Sequence, residues 1–295
     1  GLGDVYKRQS VGEIGDSHRA VEIMSEYTKN NRLHMAYSFE LLGNQFSPKH
    51  IKKTLERFFE LGNTSWPCWS FSNHDVTRHV SRWGQSNNSI EFAKLTCALL
   101  LSLRGSYCIY QGEELGQIET ELDFEELTDP PGIKFWPESK GRDGCRTPMT
   151  WKSHMDNAGF SETTPWLPVK VPQKERSVDT QLLDKYSVLN FYKDFISYRK
   201  SEQSLVDGEI EFHETNDSIL FFKRIGTKQI ACLFNFSSDE IEIEFKHSGI
   251  VSEKITQNLV IENDKLSIGG FGFGFFHINN KFKGFKVINK YGNTG

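Results

Sequence analysis

The chain has 295 residues, of which 37% are hydrophobic and 25% are charged, so it is long enough for one large or two ordinary globular domains. Its net charge of −4 and its pI of about 6.2 argue against a nucleic-acid or anionic membrane partner. No apolar run reaches the roughly 18 residues of a membrane span. The five cysteines are scattered without a CxxC pair, which favours a reducing, cytoplasmic compartment over a disulfide framework or a zinc site.

Residues 1–9 differ in character from the rest of the chain. They contain neither the apolar core of a signal peptide nor a helix cap or periodicity that joins them to the segment after them. They resemble the translated end of a sequencing-library adaptor, so we treat them as a foreign lead-in; a genuine lead-in is the alternative. The native sequence is then expected to start near Ser10, inside a domain whose beginning is absent.

From residue 11 to residue 110, strand-like and helix-like segments alternate. Ser47 and Pro48 predict a helix start, with Ser47 as the N-cap and proline at the first helical position, and Gly62 ends that helix. Repeated strand–helix units predict a parallel sheet with crossover helices. About four strands are predicted, too few to close an eight-stranded barrel.

The remaining chain falls into three parts. Residues 111–185 are rich in proline and charged residues, and a loop of this length inside a compact domain is usually functional. Helical periodicity returns over residues 186–200. Short β-like runs split by turn residues then predict a small antiparallel domain over residues 206–278, with a boundary near 205 and a weakly structured tail over residues 279–295.

The segment most informative about function is residues 71–78, FSNHDVTR, which come after an aromatic, strand-like run. A strand that ends in His74 and Asp75 at the mouth of a barrel can bind a sugar. The histidine donates to a hydroxyl, and the carboxylate faces the positive charge that develops at the anomeric carbon. Asp75 could instead cap the following helix. Arg78 either steadies Asp75, reaches the substrate or lies solvated on a helix face.

Four blocks resemble the α-amylase superfamily of glycoside hydrolases, in the branch of bacterial α-glucosidases. Besides residues 71–78, they are VGEIG at 11–15, YQGEELG at 110–116 and GRDGCRTPMTW at 141–151. The last block resembles that of α-glucosidases that act on short substrates. The resemblance covers roughly residues 10–278. It implies an α/β fold, the C-terminal half of a (β/α)8 barrel of the TIM type, followed by a small antiparallel β domain.

A retaining glycosidase uses two carboxyl groups roughly 5 Å apart, one as the nucleophile and one as the acid/base. The resemblance assigns the acid/base to Glu13, at the end of the family's fifth strand, and the transition-state stabiliser to Asp75. It assigns the binding of sugar hydroxyls to His74 and the pocket for the non-reducing glucose to Arg142. Phe39, near the end of the sixth strand, is expected to stack on the sugar.

These candidates also have ordinary structural uses that the sequence leaves open. Glu13 could be a surface residue beside turn glycines, and Phe39 could be a core residue. Arg142 could anchor its loop through Asp143, and we assign Arg146 to structure.

The sequence departs from the family pattern at its front. The family's nucleophile lies in a GFRxD-like block before the acid/base, and the printed sequence has no such block. The family's early calcium-binding loop is also absent, so we expect neither a cofactor nor a metal on this chain. The prediction is a retaining α-glucosidase that hydrolyses short, maltose-like α-glucosides from the non-reducing end. It is present as a fragment that lacks the nucleophile and is inactive by itself.

Two other functions stay open. A transglucosidase, or a sucrose-acting hydrolase or isomerase, would use the same residues, because exclusion of water decides between transfer and hydrolysis. A non-catalytic barrel homologue used for interaction is the third hypothesis, and the joint presence of Glu13, His74, Asp75 and Arg142 argues against it. The expected partners are small α-glucosides, with neither nucleic acid nor membrane. The sequence does not determine the oligomeric state.

Overall fold

The structure is a computed structural model that describes residues 9–16, 18–30, 32–62, 65–84, 90–245 and 249–288. Of the expected foreign lead-in, only Gln9 falls within these ranges. The chain divides into two compact units. The first comprises residues 1–45, 64–97 and 106–195, and the second comprises residues 46–63, 98–105 and 196–295.

Helices and strands alternate in the first part of the chain, and strands dominate its last part. The α-helices are α1 (Ala20–Thr28), α2 (Pro48–Glu60), α3 (His79–Trp83), α4 (Ile90–Ser102), α5 (Pro130–Lys134), α6 (Val171–Lys174), α7 (Val178–Leu183), α8 (Val188–Ser201) and α9 (Gln203–Val206). The strands are β1 (Val11–Ile14), β2 (Met35–Ser38), β3 (Cys68–Ser70), β4 (Ser106–Cys108), β5 (Glu209–His213), β6 (Ile219–Ile225), β7 (Gln229–Asn235), β8 (Ile241–Phe245), β9 (Ile250–Glu262), β10 (Lys265–Ile278) and β11 (Phe285–Val287).

The first four strands are parallel. β1 pairs with β2, so that Glu13 lies opposite Tyr37, and β3 pairs with β4. A single parallel bridge between Ala36 and Pro67 links the two pairs. Together with the crossover helices, these strands form the C-terminal half of a (β/α)8 barrel. The strands are shorter than the sequence patterns: β2 ends at Ser38, and a 3-10 turn comes directly after it.

Local sequence explains the start of α2. The Ser47 side chain accepts a hydrogen bond from the backbone N–H of His50, and Pro48 occupies the first turn. The cap satisfies one of the helix's free N–H groups. Proline is tolerated in the first turn because the N–H that it lacks would have no intrahelical partner there. The helix ends before Gly62, which has a φ of 129°, a backbone conformation that favours glycine. The predicted cap and stop are both confirmed.

The proline-rich segment contains only short elements: α5, α6, α7 and several 3-10 turns. A small apolar cluster of Leu122, Leu127 and Leu167, with Trp136 against it, packs the segment together. Hydrogen bonds from backbone N–H groups to buried polar side chains hold the rest of the segment. Asp143, which is fully buried, accepts hydrogen bonds from the backbone N–H groups of Thr128 and Asp129 at 2.6 and 2.8 Å.

The last seven strands form one antiparallel sheet. Its order is β11-β8-β10-β7-β6-β5, and β9 pairs with β10 away from this path. The core on one side is unusually aromatic, with Phe221, Phe276 and Phe282 among its buried members. This sheet is the antiparallel β domain that the sequence predicted.

Strand β10 bends in its middle and pairs with a different strand in each half. Its first residues, Lys265 to Ile268, pair with β8, whereas Phe273 to Ile278 pair with β7. The pairing with β9 shifts register between Ile268 and Phe273, and Phe271 has a φ of 51°. Glycines around such an irregularity let the strand kink and change partners.

The structure differs from the sequence prediction after Ile278. Residues 285–287 form β11, which pairs with β8, and the buried rings of Phe282 and Phe285 join the aromatic core. The short length of β11 explains why the tail carried little periodic signal. Across the described parts of the chain, no helix combines the length and apolarity that spanning a membrane requires.

A fully buried guanidinium lies in the second unit. Arg224 on β6 is 0% exposed and donates to four backbone carbonyls: those of Ser102 at 2.6 Å, Leu205 at 3.0 Å, Gly208 at 2.8 Å and Glu209 at 3.4 Å. Burial lowers the pKa of Arg224 to about 9. The charge is tolerated because the carbonyl dipoles replace the water that it loses.

We predict that Arg224→Met destabilises the protein by on the order of 3 kcal/mol, because several buried carbonyls lose their donor. Chemical denaturation monitored by tryptophan fluorescence measures the free energy of unfolding. The matched control is Lys223→Met on the same strand, where the partner is the half-exposed Glu211 at 3.3 Å, and we expect a change below about 1 kcal/mol. Equal stability of the two variants would contradict the prediction.

Candidate active site

The candidate site lies where the parallel strands end. Glu13 on β1 is exposed, and Tyr37 is its partner in register on β2. Asn73 lies three residues beyond the end of β3 and is 6% exposed. Because the carboxyl ends of parallel strands meet at one edge, the three side chains converge.

Asn73 joins the two carboxyl-bearing segments. Its Nδ2 donates to Glu13 Oε1 at 3.3 Å, and its Oδ1 accepts from the backbone N–H of Asp75 at 2.9 Å. Tyr37 also hydrogen-bonds Glu13 and Asn73. Burial, together with the Glu13 carboxylate, raises the pKa of Tyr37, so its phenol keeps its proton. One buried amide therefore connects the side chain of Glu13 to the backbone of Asp75.

Two arginines converge on Asp75. Arg142 Nη1 donates to Asp75 Oδ1 at 3.0 Å, and Arg146 Nη2 donates to the same oxygen at 3.1 Å. Arg146 Nε also donates to the carbonyl of His74 at 2.7 Å. Arg146, which the sequence assigned to structure, thus holds both residues of the His74–Asp75 pair. Asp75 Oδ2 faces the His74 ring, whose Nε2 lies 3.7 Å away.

Arg142 is itself fixed by Asp129. Its Nε and Nη2 donate to the two oxygens of Asp129 at 3.1 and 2.7 Å, and its backbone N–H donates to Asp129 Oδ2 at 2.9 Å. These bonds hold the pKa of Asp129 below its usual range. The sequence hypothesis that Arg142 anchors its loop through Asp143 is wrong, because the partner is Asp129. Asp143 instead holds the turn that carries Asp129.

Arg142 keeps donors for a ligand. A guanidinium has five N–H groups, and three of those on Arg142 have the carboxylate partners above. Subtracting three from five leaves two without a partner among the residues that the structure describes. The side chain is 40% exposed, so a sugar hydroxyl can reach these donors.

Arg78 is buried, with 4% of the residue exposed, so the solvated position that the sequence left open for it is wrong. Its Nη1 and Nη2 donate to the carbonyls of Gln111 and Cys145 at 2.8 and 3.0 Å, and its guanidinium lies 5.3 Å from the centroid of the Tyr110 ring. Arg78 therefore ties the loop after β3 to the proline-rich segment.

Glu119 lies between the same two loops. Its Oε2 accepts from the backbone N–H of Arg78 at 2.8 Å, and its Oε1 lies so close to Gly144 that a Cβ there would clash with it. Gly144 thus permits a close approach that a side chain would prevent. Burial raises the pKa of Glu119 to about 7, against the opposing effect of Arg78.

A buried side-chain pair, His79 and Glu113, follows the ends of the strands β3 and β4. His79 Nδ1 lies 3.0 Å from Glu113 Oε1, and both side chains are 2% exposed. Glu113 Oε2 accepts from the backbone N–H of Tyr110 at 2.9 Å, and Ser72 Oγ lies 3.0 Å from His79 Nδ1. This pair fixes the ends of β3 and β4.

The two remaining candidates are placed more loosely. His74 is exposed, with 55% of its side chain open. Phe39 begins the 3-10 turn directly after β2 and is half-buried. The structure thus joins Glu13, Asp75 and Arg142 through Asn73 and the arginine contacts, and leaves the His74 side chain exposed. Within the described ranges, no group of three or more His, Cys, Asp or Glu side chains could hold a metal ion.

Sequence reasoning missed three residues of this site. Asn73 lies inside the block 71–78, and Tyr37 lies two residues before Phe39, where only the strand register of the structure places it opposite Glu13. Asp129 lies thirteen residues before Arg142, in a segment without periodicity. Only its position before two prolines marked it, as a residue at a turn or helix start.

Comparison with known proteins identifies relatives. Residues 4–208 match the family model described as alpha amylase, catalytic domain. A probable alpha-glucosidase of Rhizobium meliloti is 49% identical over 234 residues, covering 78% of this chain and 42% of that protein. An oligo-1,6-glucosidase of Heyndrickxia coagulans is 33% identical over 242 residues, covering 70% and 43%.

Among solved structures, an alpha-glucosyl transfer enzyme, XgtA, superposes with a TM-score of 0.86 at 40% identity, covering 92% of this chain and 51% of that one. The chain thus spans about half the length of the relatives it matches.

We predict that Glu119 makes stability fall as pH rises. Its pKa is about 7 in the folded protein against an ordinary value of 4.5, so the unfolded chain loses this proton first. The free energy of unfolding therefore decreases between pH 4.5 and 7 and stays lower above that. Relative to wild type, Glu119→Gln should gain on the order of 3 kcal/mol between those limits. Denaturant unfolding at each pH measures it.

Glu121→Gln is the matched control, since Glu121 is an exposed carboxylate that pairs with Lys140. Its difference from wild type should vary by less than about 1 kcal/mol over the same range. A difference between Glu119→Gln and wild type that is constant with pH would show that Glu119 ionises normally.

Proposed function

Because the chain belongs to the alpha-amylase catalytic-domain family, we propose that it carries the acid/base and the transition-state stabiliser of a retaining α-glucosidase. The substrates are short, maltose-like α-glucosides cleaved from the non-reducing end. The observation that carries the proposal is the connection of Glu13 to Asp75 through Asn73. It places one accessible carboxyl group and one arginine-bound carboxylate at the same strand ends.

Glu13 has the features of an acid/base. It is exposed at the end of a strand, so a glycosidic oxygen can approach it. In the first step it gives its proton to the leaving oxygen as the bond to the anomeric carbon breaks. In the second step it takes a proton from water as the new bond forms.

Asp75 suits a different task. Its Oδ1 is held by two arginines, so the carboxylate is fixed before substrate arrives and does not need to reorganise. A fixed negative charge near the anomeric carbon stabilises the oxocarbenium-like transition state. The exposed His74 beside it can donate to a hydroxyl of the same sugar.

Arg142 would recognise the terminal glucose. Its two remaining N–H groups lie in the guanidinium plane, which the contacts with Asp129 orient, and both can donate to hydroxyl oxygens. Phe39, after the next strand, offers an aromatic face for sugar C–H groups. The relatives named as alpha-glucosidase and oligo-1,6-glucosidase support a short α-glucoside as the substrate.

Retention needs a nucleophilic carboxylate in addition to Glu13. By the family resemblance it belongs to a GFRxD-like block, which the printed sequence does not contain. We propose that the block lies in the half of the relatives that this chain does not match. The domain division rests on the same proposal: a foreign lead-in over 1–9, a partial barrel over 10–205 and a β domain from 206.

The proposal is tested by completing the barrel. The part of the Rhizobium meliloti relative that precedes its matched region is joined ahead of Ser10, and hydrolysis of maltose is monitored by glucose release. Glu13→Gln should lower kcat by about 10²- to 10⁴-fold, because acid and base assistance are lost together. The control Glu26→Gln alters an exposed carboxylate paired with Arg19 and should leave kcat unchanged. A folded, active enzyme unaffected by Glu13→Gln would refute the assignment.

Transfer of glucose is the second candidate function, favoured by the similarity to XgtA, which is described as a glucosyl transfer enzyme. With maltose alone, a hydrolase releases two glucose molecules per maltose consumed, whereas a transferase releases one glucose for every two maltose molecules consumed and forms longer products. Chromatography of the products at several maltose concentrations distinguishes the two. Accumulation of trisaccharide from the start would favour the transferase, and its absence would favour the hydrolase. Sucrose as the substrate tests the isomerase alternative in the same assay.

A further inference from the structure

Glu13 is exposed, yet one side of its carboxyl group is occupied. Asn73 Nδ2 lies 3.3 Å from Oε1. The Tyr37 phenol, opposite in the strand register, makes a second hydrogen bond to the same carboxyl group. An exposed glutamate normally samples several rotamers. Here two donors from neighbouring strand ends select one.

We propose that Tyr37 and Asn73 are positioning residues for Glu13, and that the contact of Asn73 with Oε1 leaves the transferable proton on Oε2. The proposal rests on the acid/base role proposed for Glu13 and names the groups that orient it. Tyr37 and Asn73 touch Glu13 and need no contact with the reacting atoms.

The chemistry of the donors explains the choice of oxygen. An oxygen that already accepts an amide N–H is a poor site for a proton, because the new O–H would face the donor. In the first half-reaction the proton therefore passes from Oε2 to the glycosidic oxygen as that C–O bond breaks and the nucleophilic carboxylate bonds to the anomeric carbon. In the second half-reaction Oε2 takes the proton from water as the water oxygen bonds to the anomeric carbon and the nucleophilic carboxylate leaves. Each step moves one proton, and Tyr37 keeps its own.

The two donors are themselves fixed. Asn73 is buried, and its Oδ1 is held by the backbone N–H of Asp75 at 2.9 Å. Tyr37 is held by the pairing of β1 with β2 and by its hydrogen bond with Asn73. Rigid placement of a proton donor within a few tenths of an ångström is worth much of the rate in such reactions.

The first test uses the 295-residue chain by itself. The side-chain amide resonances of Asn73 are monitored by ¹H–¹⁵N NMR as pH is varied. We expect them to shift as Glu13 titrates, and we expect that shift to be absent in Glu13→Gln. The proposal would be overturned if the Asn73 side-chain resonances showed the same pH dependence in wild type and in Glu13→Gln.

The second test compares leaving groups in the completed enzyme, with the Rhizobium meliloti segment joined ahead of Ser10. Maltose needs protonation of its leaving oxygen, whereas 2,4-dinitrophenyl α-glucoside does not. Tyr37→Phe should lower kcat/KM for maltose about tenfold or more, a part of the general-acid contribution, and should change that for the dinitrophenyl substrate less than about twofold. Asn73→Asp, which keeps the acceptor for Asp75 and removes the donor, should show the same selective loss.

Tyr27→Phe, at a half-exposed tyrosine on α1, is the control and should change neither substrate. Equal losses on both substrates would assign Tyr37 a merely structural role and overturn the proposal. If Glu13→Gln leaves maltose hydrolysis intact, the proposed function itself fails. If Glu13→Gln inactivates while Tyr37→Phe and Asn73→Asp have no effect, only the positioning role fails.

Discussion

The candidate site depends on a chain of shared charges. Asp75 Oδ1 receives two guanidinium groups, and one of these, from Arg142, is shared with the buried Asp129. Two carboxylates and two arginines therefore form a cluster that is neutral as a whole. An unpaired carboxylate as buried as Asp129 would carry a large desolvation cost. The paired guanidinium offsets part of that cost, and the cluster at the same time fixes the position of Asp75.

The cluster also determines how the two loops of the site meet. The loop after β3 supplies His74 and Asp75, and the proline-rich segment supplies Asp129, Arg142 and Arg146. Beneath them, the Arg78 guanidinium donates to carbonyls of that segment, and Glu119 accepts from the Arg78 backbone. Polar contacts of this kind are directional. They fix the relative positions of loop segments, which have no regular helix or strand hydrogen bonds to hold them.

Much of this architecture was predictable from particular residues. Ser47 and Pro48 predicted the start of α2, and alternation of strand and helix patterns predicted the parallel strands. The family comparison supports the fold that the motif blocks implied. The site residues Glu13, His74, Asp75, Arg142 and Phe39 remain predictions, which the geometry supports to different degrees.

The sequence could not predict contacts between segments that have no hydrophobic periodicity. Asp129 was not identified as the partner of Arg142, because proline-rich backbone gives no spacing rule. Arg224 was not identified as buried, because a basic residue at the end of an apolar run reads as solvent-facing. Only its four carbonyl partners make its burial possible. Both cases depend on tertiary satisfaction of polar groups, which local propensity does not encode.

Arg224 also limits how the β domain can be used as a portable module. Two of its carbonyl partners, Ser102 and Leu205, precede the strand β5 that opens the sheet, and Ser102 is 122 residues away along the chain. A graft or an excised piece that begins at Gly208 would bring the guanidinium without half of its partners. The sheet would then have to hydrate a charge in its interior or rebuild its own edge. Recombination at the sequence boundary near residue 205 should therefore give poorly folded products unless the host protein supplies equivalent carbonyls.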